Sequence, residues 1–163
     1  MRNILIACCS ILVTTAHAQP VELAWSHAYN LGDNTNLKEK DIAVGPGGEV
    51  LVVGSTNIPV DLDPGAGNAL FTPSLSFGEG FVLKLDAAGN YLWAVGMGYR
   101  AEKVVVDADG NVLVAGYYQD IYDLNPGPDV LQPQTGQDPS IYLVKLDMTG
   151  ALVWANVVRC AES

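Results

Sequence analysis

The chain has 163 residues, 49% of them hydrophobic and 16% charged, and its eight basic and eighteen acidic residues give a net charge of −10. This is the length of one ordinary domain, and the low charge fraction excludes a disordered acidic tail. No Lys/Arg cluster stands anywhere, which argues against a nucleic-acid partner.

The first predicted element is an address. Met1-Arg2-Asn3 is a short basic start, residues 4–13 are apolar except for Ser10, and Ala16-His17-Ala18 is a small-x-small cleavage site. That layout predicts a secretory signal peptide over 1–18. The apolar run is too short to cross a bilayer, which takes ~20 residues, and no later stretch predicts a membrane span. The rival reading is a lipoprotein box at Leu5-Ile6-Ala7-Cys8. Cleavage after Ala18 removes two of the three cysteines and leaves Cys160, so no disulfide forms within the mature chain.

Beyond the signal the chain repeats itself. Residues 42–65 (IAVGPGGEVLVVGSTNIPVDLDPG) match residues 104–127 (VVVDADGNVLVAGYYQDIYDLNPG) at 10 of 24 positions, at an offset of 62. Residues 81–94 match residues 142–155 at 6 of 14 positions, at an offset of 61. A loose third copy stands in front, where Leu23-Ala24-Trp25 parallels Tyr91-Leu92-Trp93 and Leu152-Val153-Trp154. Each unit resolves into four short runs rich in Val, Leu, Ile, Tyr and Trp, which predict strands. In the second unit these are 104–106, 112–118, 141–146 and 151–158. Turns such as Asp107-Ala108-Asp109-Gly110-Asn111 and Asp147-Met148-Thr149-Gly150 separate them and predict hairpins. No stretch outside the signal has a helical period.

Runs such as Val50-Leu51-Val52-Val53 and Val112-Leu113-Val114-Ala115 have no polar face. Strands buried on one face alternate, whereas strands covered on both faces do not. Four-stranded antiparallel sheets repeated head to tail and covered on both faces describe the blades of a β-propeller. The fold class predicted is therefore all-β, a partial β-propeller of about two four-stranded antiparallel blades plus an orphan N-terminal strand. A β-sandwich is the competing architecture, and it leaves the repeat unexplained. The expected divisions are a signal peptide at 1–18, an outer strand and connecting loop at 19–39, blades at 40–100 and 101–159, and a tail at 160–163.

The repeated residues carry a resemblance. Gly54, Asp61, Asp63, Pro64, Gly65, Lys84-Leu85-Asp86, Gly89 and Trp93 form one copy of a motif. Gly116, Asp123, Asn125, Pro126, Gly127, Lys145-Leu146-Asp147, Gly150 and Trp154 form the other. The pattern resembles the SBBP-type β-propeller repeats common in exported proteins of Bacteroidetes and related bacteria, and it covers essentially all of residues 21–158. The resemblance implies a propeller blade and a secreted, cell-surface or periplasmic location in a Gram-negative bacterium; it implies no particular activity. A weaker resemblance, to quinoprotein-type propeller repeats, founders on the long Asp-x-Asp-Pro-Gly insertion. Closed propellers have roughly four to eight blades. Two blades therefore predict either a truncated piece of a larger ring or identical chains assembling into one. In either case the uncovered blade faces predict association.

The candidate sites are loops. Asp61, Asp63, Asp123, Asn125 and Asp129 place oxygen atoms at alternate positions in Gly-bearing loops, as calcium ligands are placed. The competing reading is an Asx/Pro-Gly turn. Tyr117, Tyr118 and Tyr122 cluster at the end of a strand, where they either pack the long loop onto its blade or, if exposed, stack on a sugar or anchor a partner. His27 is the only histidine of the mature chain, and no nucleophile–base spacing accompanies it. Gly45-Pro46-Gly47-Gly48 precedes a strand and reads as a hairpin turn, not a phosphate loop. The expected function is an exported, non-catalytic repeat module serving as scaffold or interaction surface, without a cofactor. The alternative is a calcium-stabilised surface adhesion or glycan-binding module. Expected partners are an unidentified protein or glycan, further blades, or identical chains.

Overall fold

The computed structural model describes residues 25–26, 37–134 and 140–159. The expected signal peptide and cleavage site, His27, Cys160 and most of the expected N-terminal strand lie outside the described residues.

Within them the chain is all-β and antiparallel. The strands are β1 (Lys38–Val44), β2 (Val50–Thr56), β3 (Val60–Asp61), β4 (Leu70–Phe71), β5 (Glu79–Leu85), β6 (Tyr91–Met97), β7 (Arg100–Val106), β8 (Val112–Tyr118), β9 (Ser140–Leu146) and β10 (Leu152–Arg159). They form two four-stranded sheets, β1-β2-β5-β6 and β7-β8-β9-β10, each meandering from neighbour to neighbour. A two-stranded ribbon, β3–β4, stands in the insertion between β2 and β5. The expected strands of the second unit are found within a few residues of their predicted bounds.

The repeat extends to the irregularities. The β1–β2 register slips between Glu39 and Asp41, and the β7–β8 register slips 62 residues later, between Ala101 and Lys103. Each slip leaves one unpaired residue, Lys40 or Glu102, as a β-bulge. Opposite each bulge stands a glycine, Gly54 or Gly116. A Cβ on Gly54 would collide with the Lys38 carbonyl oxygen and the Phe81 ring; one on Gly116 would collide with the Arg100 carbonyl oxygen and the Tyr142 ring. The bulged strand can approach this closely only because the side chain is missing.

The three Asp-x-x-Gly turns share one build. Asp86 Oδ1 accepts the backbone N–H groups of Ala88 (2.8 Å) and Asn90 (2.8 Å). Asp107 holds Asp109 and Asn111 in the same way, and Asp147 holds Thr149 and Ala151. The glycines Gly89, Gly110 and Gly150 have φ near +85°, at 86°, 83° and 88°, a region that L side chains rarely enter.

The sheets share a core. Leu51, Val53, Val82 and Met97 of the first pack with Val104, Val112, Val114, Tyr118, Tyr142, Val144 and Leu146 of the second in one cluster. A second cluster lies on the far face of the first sheet and gathers Val50, Phe81, Leu83 and Leu85 with Trp25, Leu37, Val60 and Leu62. The central strands β2 and β5 of the first sheet are thus buried on both faces, whereas Ile42 and Val44 of β1 stay exposed. Those of the second sheet are not. Burial alternates along β8 and β9, and Ile141, Leu143 and Val105 lie exposed on its outer face. Sequence alone predicts two covered faces for both sheets; in the second, one apolar face stands open.

Tyr142 lies in the shared core with its hydroxyl hydrogen-bonded to nothing among the described residues, and burial pushes its pKa far up. The turn carboxylates run the other way. Asp86, Asp107 and Asp147 are held below the usual carboxylate range, chiefly by side-chain hydrogen bonds from Asn90, Asn111 and Thr149, with backbone N–H groups adding to each. Groups whose pKa falls on folding stabilise the fold in their ionised form. Their contribution is complete above the unfolded carboxylate value, about 4, and is lost as pH falls through the folded values. The melting temperature should therefore decline steeply below about pH 4. Asp107→Asn should flatten that decline measurably in a pH series of thermal melts followed by circular dichroism.

Candidate functional site

The two insertions that carry the sequence candidates are built alike. Asp61 Oδ1 accepts the N–H of Asp63 at 3.0 Å and of Ala69 at 2.8 Å. Asp123 Oδ1 accepts the N–H of Asn125 at 2.9 Å and of Leu131 at 2.8 Å. One carboxylate oxygen thus closes a nine-residue loop in each unit, at the same two spacings. The next acceptor repeats as well: Asp63 Oδ1 takes the Gly65 N–H, and Asn125 Oδ1 takes the Gly127 N–H. Between the paired acceptors sit Leu62 and Leu124, both buried, which tether each loop to its sheet.

This arrangement accounts for the residue types. An Asx-turn acceptor needs one side-chain oxygen, so Asp63 and Asn125 serve equally. A hard cation would lose a formal charge from that exchange. Asp129 is exposed, and no group of three or more His, Cys, Asp or Glu that could hold a metal stands among the described residues. Of the five residues, Asp61, Asp63, Asp123 and Asn125 accept backbone N–H groups within their own loops, and Asp129 is exposed outside that arrangement.

The tyrosines divide. Tyr118 is buried and donates its hydroxyl to the Pro133 carbonyl at 2.9 Å. Tyr122 is buried and donates to the Gly78 carbonyl at 2.6 Å, tying the second insertion to the start of β5. Its ring lies 5.7 Å from that of Tyr99. Burial pushes both hydroxyls up to about 12. Neither presents a face for stacking on a sugar or partner, because strand alternation turns Tyr118 inward and the loop folds Tyr122 over the junction. Tyr117, on the opposite face of β8, is exposed.

The repeat predicts sheets packed face to face, but not the polar clasp that joins them. Trp93 of β6 reaches into the next unit and donates its indole N–H to the Met148 carbonyl at 3.2 Å, in the turn between β9 and β10. The buried Lys84 ammonium donates to the same oxygen at 3.2 Å. Trp25 does to the first unit what Trp93 does to the second: its indole donates to the Ala87 carbonyl at 3.1 Å. Ala87 and Met148 are equivalent at the offset of 61. Polar contacts line the inner strands. Lys40 pairs with Glu102 at 3.2 Å, and Asp41 pairs with Lys103 at 3.5 Å while accepting the Val104 N–H. The once-per-unit recurrence of tryptophan was the one sequence signal that marked this contact.

An open groove of about 610 Å³ runs beside Trp25 along β1 and β2, lined by Ile42, Val50, Val52 and Leu85 together with the charged Glu39, Lys40 and Asp41. Comparison with protein-family models and with curated proteins finds no match to this chain.

If the two insertions are closed by their own side chains, chelator should leave the melting curve unchanged. Asp123→Ala should lower the midpoint by on the order of 5 °C, equally with and without millimolar calcium. A midpoint that falls in chelator and recovers with calcium would give these loops to the cation.

Proposed function

We propose that this protein is an exported, non-catalytic β-propeller repeat module that serves as a scaffold or interaction surface. The observation that carries the reading is the head-to-tail repetition of one four-stranded meander. The same bulge, glycine, turns and indole clasp recur in each copy, and the central strands of the first sheet are buried on both faces. Successive meanders packed face to face in this order are how propeller blades stack. The motif's resemblance to SBBP-type repeats supports the same reading. The acidic and aromatic residues of the insertions are spent on closing loops and filling the junction, which favours a scaffold over a catalytic centre. Export through a signal peptide over 1–18 places the module in the envelope or outside the cell.

The test is the fate of the N-terminus. Intact-mass measurement on protein recovered from the periplasm or medium should show Gln19 as the first residue. A full-length product confined to the cytosol would overturn the export half of the reading; a lipid-modified Cys8 would replace cleavage after Ala18 with a lipoprotein anchor.

A further inference from the structure

The two ends of the sheet stack reproduce the two halves of its middle. Leu51, Val53 and Val82 of the first sheet are fully buried against the second. Their equivalents at the repeat offset are Leu113, Ala115 and Leu143, which line a shallow apolar depression on the outer face of the second sheet, with Trp154 at its rim. Leu143 is 42% exposed where Val82 is 0%. At the other end, Ile42 is 63% exposed, whereas its equivalent in the second sheet, Val104, is buried at 3% in the junction. One molecule therefore presents at its two ends the donor face and the acceptor face of the interface it contains. Such a pair of surfaces is complementary head to tail, a heterologous contact that closes into rings when the rotation allows.

Two details identify the neighbour. Trp154 stands where Trp93 stands, at the offset of 61, and is 38% exposed. The seat for such an indole is already visible: the Ala87 carbonyl, which Trp25 occupies. The inner-strand charges are more selective. The first sheet carries Lys40 and Asp41 where the second carries Glu102 and Lys103, so signs reverse between successive units. Another first sheet set against the outer face of the second would bring Lys40 to Glu102 and Asp41 to Lys103 once more. Another second sheet in that place would set glutamate against glutamate and lysine against lysine.

We infer that a second copy of this chain docks head to tail, its first sheet covering the outer face of the second sheet, with Trp154 replacing the neighbour's Trp25 on the Ala87 carbonyl. The inference names the partner of the proposed scaffold and rests on the face-to-face stacking in that reading, not on export. Cytosolic retention would leave it untouched, and a failure to associate would leave export untouched. Trp25 is in this arrangement an in-chain competitor for the seat, so self-association is set against the hold of the N-terminal segment.

The experiment is light scattering with size exclusion on the purified full chain, over a concentration series up to ~100 μM. Four proteins are compared: wild type, Trp154→Ala, Leu143→Asp and Trp25→Ala. The two outer-face substitutions fall on exposed side chains, so their folds should survive, which circular dichroism verifies. Wild type should associate with rising concentration, and both outer-face variants should remain monomeric. Trp25→Ala should associate at about tenfold lower concentration. A wild-type monomer throughout the series would overturn the inference. So would association that persists in both outer-face variants, which would place the contact elsewhere.

Discussion

Everything in this fold depends on the burial of one sheet face against the next. A four-stranded meander has two apolar faces and no helix to cover either, so it is stable only when a neighbour removes that surface from water. The junction between β2–β5–β6 and β7–β8–β9 does this with Leu51, Val53, Val82 and Met97 on one side and Val112, Val114, Tyr142 and Val144 on the other. At ~25 cal/mol per Å² of apolar surface, burial of side chains of this size outweighs any single polar contact at the junction. The polar contacts do a different task. Trp93 on the Met148 carbonyl and Lys40 on Glu102 fix which part of one sheet lies over which part of the next.

The same constraint explains the glycines and bulges. The edge strands β1 and β7, which face each other across the junction, carry the bulges at Lys40 and Glu102, and a bulge bends its strand. The bend presses the strand backbone onto its partner, which is why Gly54 and Gly116 stand opposite. Each conserves space for backbone, and each also admits a ring, Phe81 in the first unit and Tyr142 in the second. The turns then return the chain at fixed length, each built from one aspartate that accepts the N–H groups two and four residues on, with one left-handed glycine three residues on.

Much of this was legible in the sequence because the repeat samples the same physics twice. Strand positions, hairpins and the Asp-x-x-Gly turns follow from residues whose preferences are local. What escaped was non-local. Nothing in the Lys84-Leu85-Asp86 motif tells that Lys84 is buried, with its ammonium donating to the Met148 carbonyl of the following unit. Tyr118 and Tyr122 leave loop packing and an exposed aromatic patch both open in the sequence, since nothing in their spacing tells which face of β8 meets the first sheet; the structure takes the packing. The short ribbon β3–β4 hides in a Pro- and Gly-rich insertion that periodicity cannot resolve. The continuously apolar run 112–115 predicts two covered faces, and the structure covers one.

The most direct measurement is amide hydrogen exchange on wild type and Leu51→Ala, a truncation in the first sheet at the junction. If the shared face organises the fold, the loss of roughly 2–5 kcal/mol should lower protection in β8 and β9 as much as in β2 and β5, because the two sheets open as one unit. Lost protection confined to the first sheet, with β8 and β9 unchanged, would show that each meander stands alone and would contradict the account.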